Sequence, residues 1–193
     1  MTTLGFLSVH NAKADGRFSP LAKSSMERRL RDHGAEFEER DGWLVATRLP
    51  REHKLGIRDI SHLGKLEVRG DLAGIEGVIP ITPSRGLLVC DTGETKAVQE
   101  KLSTGYDVLD LTGALAGLEI SGPGAETLMR RITAHDLDDL PAAAPASHVG
   151  PCVITREGEE SFRIFFPQEY GHYLWEVAVD AAEPLGGGPA SSP

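Results

Sequence analysis

Short, mainly apolar runs recur along the chain, at Trp43–Arg48, Lys65–Arg69, Gly86–Cys90, Tyr106–Leu111, Leu115–Ile120, 152–155 and Phe162–Phe166, and Leu66-Glu67-Val68-Arg69 alternates apolar with polar residues. A two-residue period places every second side chain on one face of a pleated strand. These runs are also rich in β-branched and aromatic residues, so each is expected to be a strand. Helical spacing occupies fewer segments: about 25–33, ended by Gly34; 94–102; 124–133; and a longer helix opening at Pro167. The last repeats apolar positions at Tyr170, Tyr173, Leu174, Val177, Ala178 and Ala181 and is stopped by Pro184. Ser24 and Glu27 have the spacing of a capping box, in which hydroxyl and carboxylate each satisfy a free amide. Residues 184–193, PLGGGPASSP, have no apolar period and are expected to form a flexible tail. The Gly186–Gly188 run within it neither follows a strand nor opens a helix, so it reads as a linker and not a phosphate cradle.

A weak internal repeat is visible. Asp59-Ile60-Ser61, Leu66-Glu67-Val68 and Gly70 parallel Asp110-Leu111-Thr112, Leu118-Glu119-Ile120 and Gly122 with a one-residue offset. Two amphipathic strand-turn units can look alike by chance, and tandem lobes are the other explanation.

With 193 residues, 40% of them hydrophobic, the chain can bury one core as a single domain or as two small lobes. A formal net charge of −9 repels phosphate backbones and anionic lipid, which argues against a nucleic-acid partner. The opening MTTLGFLSVHNAKADG lacks a basic n-region, and no apolar run approaches membrane-spanning length, so no membrane association and a cytoplasmic location are expected. Cys90 and Cys152 lie in apolar strand-like runs and are expected as reduced thiols. His33, His53, His62, His135, His148 and His172 lack metal-ligand spacing, so no metal site is expected. His62 beside Asp59 and Ser61 invites a triad reading, but neighbours on one strand turn point in alternating directions; a turn in which Asp and Ser bond local amides is the expectation. Arg28, Arg29 and Arg31 read as a solvated helix face.

Several motifs occur together in a fixed order. Ser19-Pro20-Leu21, His33-Gly34-Ala35 and Gly42-Trp43 precede Gly56-Ile57-Arg58-Asp59-Ile60-Ser61-His62-Leu63-Gly64-Lys65. Downstream stand Tyr106–Thr112, Leu118-Glu119-Ile120-Ser121-Gly122-Pro123-Gly124-Ala125, and Arg156-Glu157-Gly158-Glu159-Glu160-Ser161-Phe162-Arg163-Ile164-Phe165. From about residue 19 to 185 this order resembles the aminomethyltransferase family, which includes the glycine cleavage T-protein and its folate-binding relatives. The resemblance implies an α+β fold of two small sheet-plus-helix lobes like the T-protein's folate-binding core, with the C-terminal barrel absent. It further implies an N-terminal extension over 1–18, a core over 19–183 with lobes of about 19–102 and 103–183, and the tail.

The chemistry implied by the resemblance is one-carbon transfer to tetrahydrofolate, in which the protein aligns folate with its donor and stabilises iminium-like charge by a carboxylate. A second carboxylate suits the pterin edge, because its oxygens accept paired N–H donors. The resemblance places Glu159 in that role, with a solvated turn residue as the alternative. Arg156 and Tyr173 complete the implied cofactor contacts, Tyr173 having packing as its alternative. No catalytic residue is assigned.

The chain departs from the family where the catalytic loop should stand. Gly70 leads through DLAGIEGVIPITPSRG to the next strand without the family's paired aspartates, so that loop and its helix read as deleted. The short form is similar to the γ subunit of heterotetrameric sarcosine oxidase. The expectation is therefore a catalytically reduced subunit of glycine or sarcosine metabolism, supporting a larger flavin-dependent or folate-binding partner. Two other readings stand beside it: a stand-alone aminomethyltransferase in which an acid such as Asp91 replaces the lost carboxylate, and a folate sensor without a reaction. Homo-oligomers are compatible with each.

Overall fold

The computed structural model describes residues 20–192; the expected N-terminal extension lies outside the described residues. The two halves of the weak sequence repeat form matching turns. Asp59 Oδ1 accepts the Ser61 amide at 2.9 Å, and Asp110 Oδ1 accepts the Thr112 amide at 2.8 Å. Each Asx turn ends a short strand, β4 (Gly56–Asp59) or β8 (Asp107–Asp110), and leads to a longer one, β5 (Gly64–Arg69) or β9 (Leu115–Ser121). Neither short strand pairs with its successor. β4 runs antiparallel to β9, with Ile57 opposite Ile120 and Asp59 opposite Leu118, while β8 runs antiparallel to β5, with Val108 opposite Val68 and Asp110 opposite Leu66. The hydroxyls cross over with the strands: Ser61 Oγ accepts the Gly117 amide at 3.1 Å, and Thr112 Oγ1 accepts the Lys65 amide at 3.0 Å. Two backbone bonds repeat the exchange, Ile60 N–H to Gly117 O at 2.9 Å and Leu111 N–H to Lys65 O at 2.8 Å.

Each exchanged pair belongs to a sheet of the same order. With β6 (Ile79–Thr82) and β7 (Arg85–Cys90), the first sheet runs β6-β7-β5-β8. With β11 (Val149–Gly158) and β12 (Ser161–Pro167), the second contains β11-β12-β9-β4, extended by β10 (Ala142–Ala146) outside β11 and β13 (Gly188–Pro189) outside β4. A 3-10 turn and a helix follow β7 and β12 alike, α2 (Thr95–Leu102) and α4 (Gly171–Ala182). The halves differ in one insertion. Gly122, at φ 106°, leads into α3 (Ala125–Ile132), whereas its counterpart Gly70, at φ 135°, leads through residues 71–78 without a helix. The expected lobe boundary near residues 102 and 103 separates the repeats in sequence, but both sheets cross it. Ahead of the repeats, β1 (Ala22–Lys23), α1 (Glu27–Asp32), β2 (Glu36–Arg40) and β3 (Trp43–Arg48) supply a three-stranded sheet ordered β1-β3-β2.

The apolar run in β12 is explained by burial on both faces. Phe162, Ile164 and Phe166 enter the main core with Leu118, Ile120, Leu128, Met129, Leu174 and Trp175, beneath α3 and α4. Phe165 points the other way, into a smaller core with Ile60, Leu87 and Val153 that joins the two larger sheets. On α4 the buried stripe is Gly171, Leu174, Trp175, Ala178 and Ala182. Tyr170 and Tyr173, expected on that face, are instead 42% and 40% exposed. The helix begins at Gly171, four residues later than Pro167 suggested, after a 3-10 turn at Gln168–Tyr170, and its buried stripe centres on Trp175, a position outside the expected stripe, which leaves both tyrosines on its outer side. Ser24 does cap locally, its Oγ accepting the Met26 amide at 3.1 Å, but the Glu27 carboxylate turns to Arg31 and Lys23 and does not complete the box.

The expected flexible tail is a correction of substance. Residues 188–189 pair in parallel with β4, the Gly188 amide bonds Leu55 O at 3.1 Å, and the Ala190 amide bonds Ile57 O at 2.8 Å. Ala190 and Ser192 are buried, and Ser192 Oγ donates to Asp59 O at 2.8 Å. Apolar periodicity could not reveal this segment because main-chain bonds, not side chains, hold it. At Gly187 an added Cβ would stand 2.8 Å from Leu55 carbons, so the glycine permits the close approach.

Polar groups gather at the crossing. Lys65 is fully buried, and its Nζ donates to Ser61 O at 2.7 Å and Leu63 O at 2.6 Å while lying 6.0 Å from the Trp43 ring centroid. Burial lowers its pKa to about 8, against the opposing charge of Asp59. Burial raises the Asp59 pKa, partly countered by bonds from Ser24 and Ser61. His62 is lowered to about 4 by burial and then by Lys65 and Arg40. In the other half Lys65 is matched by Gly117, where a Cβ would press on Ile60 and Phe165 at 3.0 and 3.1 Å. One side of the crossing therefore carries a buried ammonium and the other carries no side chain.

Three outcomes are expected. Ser61→Ala and Thr112→Val each leave a buried amide without its acceptor, and each should lower unfolding free energy by about 1–3 kcal/mol in urea denaturation; a loss at only one of the two would refute the matched crossing. Truncation after Leu185 should lower Tm, because it uncovers the outer edge of β4; an unchanged Tm would mean that the tail adds nothing. Because folded His62 binds its proton more weakly than in the unfolded chain, the stability it confers is complete above about pH 6.5 and is lost as pH falls toward 4. Asp59, raised, acts in the opposite sense on the acid side, so the useful comparison is between variants. Wild-type Tm should fall relative to His62→Gln over that window, and parallel curves would contradict it.

Candidate functional site

The β11–β12 hairpin carries two of the three cofactor contacts implied by sequence. Gly158 pairs with Ser161, which leaves Glu159 and Glu160 at the tip, where both are exposed. Arg156 sits behind the tip with its guanidinium 4.7 Å from the Phe162 ring centroid, and its Nη1 donates to Glu159 O at 3.4 Å. Its Nη2 lies 3.3 Å from Glu126 Oε2, on the first turn of α3. Hydrogen bonds from Arg130 and Arg156 hold the Glu126 carboxyl below its usual range. Arg156 thus joins hairpin to helix, and its charge is already matched. Tyr173 stands elsewhere, on α4, its hydroxyl donating to Ser147 O at 2.9 Å in the β10–β11 turn. The structure brings Arg156 and the Glu159 backbone together. It places the Glu159 carboxylate at a solvated tip, and Tyr173 does not join them.

The turn carrying Asp59, Ser61 and His62 is occupied by its own bonds. Asp59 and Ser61 serve the local amide and the crossing, and no Ser–His bond forms a triad. Asp91, the candidate substitute for the missing carboxylate, begins the 3-10 turn before α2, with its carbonyl accepting Thr95 Oγ1 at 3.3 Å and its carboxylate exposed. Residues 70–78, where a deleted loop and helix are expected from the sequence, supply Asp71 and Glu76, both exposed. Cys90 and Cys152 are free thiols, Cys152 raised to about 11 by burial. Among the described residues, no group of three or more His, Cys, Asp or Glu is placed to hold a metal. No helix among them is long and apolar enough to cross a membrane.

A cleft of about 470 Å³ is lined by His33, Arg51, His53, Glu183 and the tail from Gly186 to Pro189, with Leu49, Pro50 and Val179 as its apolar wall. His53 Nδ1 lies 3.3 Å from Gly186 O. The lining holds both signs of charge and contains no Phe, Tyr or Trp on which a pterin could stack. Sequence reasoning missed this cleft. Its walls come from positions far apart in the chain and meet only because the tail folds back, which no periodicity or motif spacing signals.

No family model matches the chain. Among curated proteins, the aminomethyltransferase of Desulforamulus reducens is 23% identical over 212 residues, 79% of this chain and 57% of that protein. The aminomethyltransferase of Mycobacterium avium is 27% identical over 219 residues, 88% of this chain and 60% of that protein. The chain thus spans about three-fifths of the length of these relatives. Among solved structures, a chain of heterotetrameric sarcosine oxidase from Corynebacterium sp. U-96 superposes with a TM-score of 0.64 at 17% identity, covering 88% of this chain and 99% of that one. The glycine cleavage system aminomethyltransferase T from Bartonella henselae gives 0.64 at 19% identity, covering 89% of this chain and 60% of that one. The fold is accordingly a partial folate-binding-type α+β core without a closed barrel. Sequence similarity along most of the chain, joined to this shared core, makes the protein a relative of the glycine cleavage T-protein, or aminomethyltransferase, family.

Proposed function

We propose that this chain is a catalytically reduced, supporting subunit of a larger enzyme of glycine or sarcosine one-carbon metabolism, comparable to the γ subunit of a sarcosine oxidase. One observation carries the reading: the segment 71–78, which takes the place held by α3 in the other repeat, forms no helix, so the carboxylate expected beside folate has no counterpart there on an ordered helix. The superposition on a chain of a heterotetrameric oxidase supports it. The placement of Glu159 supports it as well. A carboxylate at a solvated hairpin tip gains little from a pterin's N–H groups, since water competes for both partners. On this reading tetrahydrofolate and flavin belong to the larger partner, and Glu159, Arg156 and Tyr173 lie on the surface of the supporting subunit.

Affinity purification of the tagged chain from its native host should recover it in fixed stoichiometry with a larger, flavin-containing polypeptide. Recovery of the chain alone, together with aminomethyl transfer to tetrahydrofolate, would overturn the proposal in favour of the stand-alone enzyme. Calorimetry of the isolated chain with tetrahydrofolate should show no saturable heat, and Glu159→Ala should behave identically. Saturable binding abolished by that substitution would restore the pterin site.

A further inference from the structure

The two sheets share their order but not their outer edges. Beyond β4 lies the tail: Leu55 O and Ile57 O accept the Gly188 and Ala190 amides, Asp59 O accepts Ser192 Oγ, and Arg58 Nε donates to Ser191 O at 2.9 Å. β8 occupies the same place in the first sheet, and among the described residues no strand lies beyond it. The registers of β4 on β9 and β8 on β5 match residue by residue, Asp59 corresponding to Asp110, Arg58 to Leu109 and Ile57 to Val108. The carbonyls of Tyr106, Val108 and Asp110 therefore face outward, as those of Leu55, Ile57 and Asp59 do. Leu109, in the place of the residue that holds the tail, is a large apolar side chain 51% exposed.

We infer that the outer edge of β8 is a docking edge that takes an extended segment of a different polypeptide as an added strand, one carrying Lys or Arg beside an apolar residue. The inference deepens the supporting-subunit reading and rests on it for the nature of the partner. Main-chain pairing along an open edge supplies affinity, and side chains set specificity. The edge reads Asp107-Val108-Leu109-Asp110, so its ends are acidic and its middle is apolar. A second copy of this chain is a poor occupant, because each copy carries a charge of −9 and presents an exposed aspartate, Asp107, along this edge. Asp107 and Leu109 share one face of the strand, so a basic strand meets Asp107 with opposite charge and covers Leu109 on that face.

The test uses the full chain and two short synthetic peptides, one alternating lysine with valine and the other glutamate with valine. The lysine peptide should slow hydrogen exchange at the Val108 and Asp110 amides and give saturable fluorescence anisotropy, and the glutamate peptide should do neither. Leu109→Asp, at an exposed position that leaves the core intact, should weaken lysine-peptide binding about tenfold or more. Asp107→Lys should shift preference toward the glutamate peptide. Protection that is absent, that falls away from residues 106–110, or that is equal for both peptides would overturn the docking edge. Recovery of the native complex with the Leu109→Asp chain at wild-type yield would also overturn it while leaving the subunit reading intact. A chain that binds the lysine peptide at β8 but purifies without a larger partner would overturn the subunit reading alone.

Discussion

Everything else in the molecule depends on the exchange of first strands between two repeated units. A unit consisting of a short strand, an Asx turn and a long strand has no hairpin to close, because the turn aims the long strand away from the short one. Each unit is completed by its twin. The Ser61 hydroxyl serves the Gly117 amide and the Thr112 hydroxyl serves the Lys65 amide, so the buried donors at the crossing are satisfied only when both halves are present. The two sheets, the small core of Ile60, Leu87, Val153 and Phe165 between them, and the helices that cover them all follow from that geometry.

The repeat and most strands were legible in sequence because alternation survives wherever one sheet face is buried, as at Leu66 and Val68. β4 was read as a turn, since its four residues include a glycine and an aspartate and its partner lies in the other repeat. Likewise β2 carries Glu36, Glu38 and Glu39 on an edge, where solvent tolerates the charges and no apolar signal is needed. The helix α4 was legible in sequence, but its buried face turns toward Trp175, which the expected stripe omitted, and away from Tyr173. The family motif at 56–65 marked the crossing without disclosing why Lys65 could be buried: its ammonium is answered by two carbonyls from the turn that precedes it.

The implied cofactor contacts show the limit of carrying roles along a motif. Arg156 retains a structural duty, tying the hairpin to α3 through Glu126 and stacking on Phe162, and that duty alone explains an arginine at this place. Glu159 has no comparable duty through its carboxylate. The same hairpin can thus keep the family's sequence texture after the surroundings that gave its acid a purpose are reduced. On the proposed reading that reduction corresponds to the helix-free course after Gly70, set against α3 after Gly122 in the other of two otherwise matched units.

In the second sheet the outward carbonyls of β4 are answered by the chain's own tail, which explains why a glycine-rich segment without apolar spacing is nonetheless ordered. In the first sheet no strand among the described residues answers the equivalent carbonyls of β8, and the residue in the place of the tail's anchor is Leu109. Solvent can satisfy carbonyls at no cost, but it gains nothing from a leucine. An apolar side chain between two aspartates on an open edge is therefore better explained by contact than by solvation, and flanking acids keep that edge from pairing with its own copies while it is free.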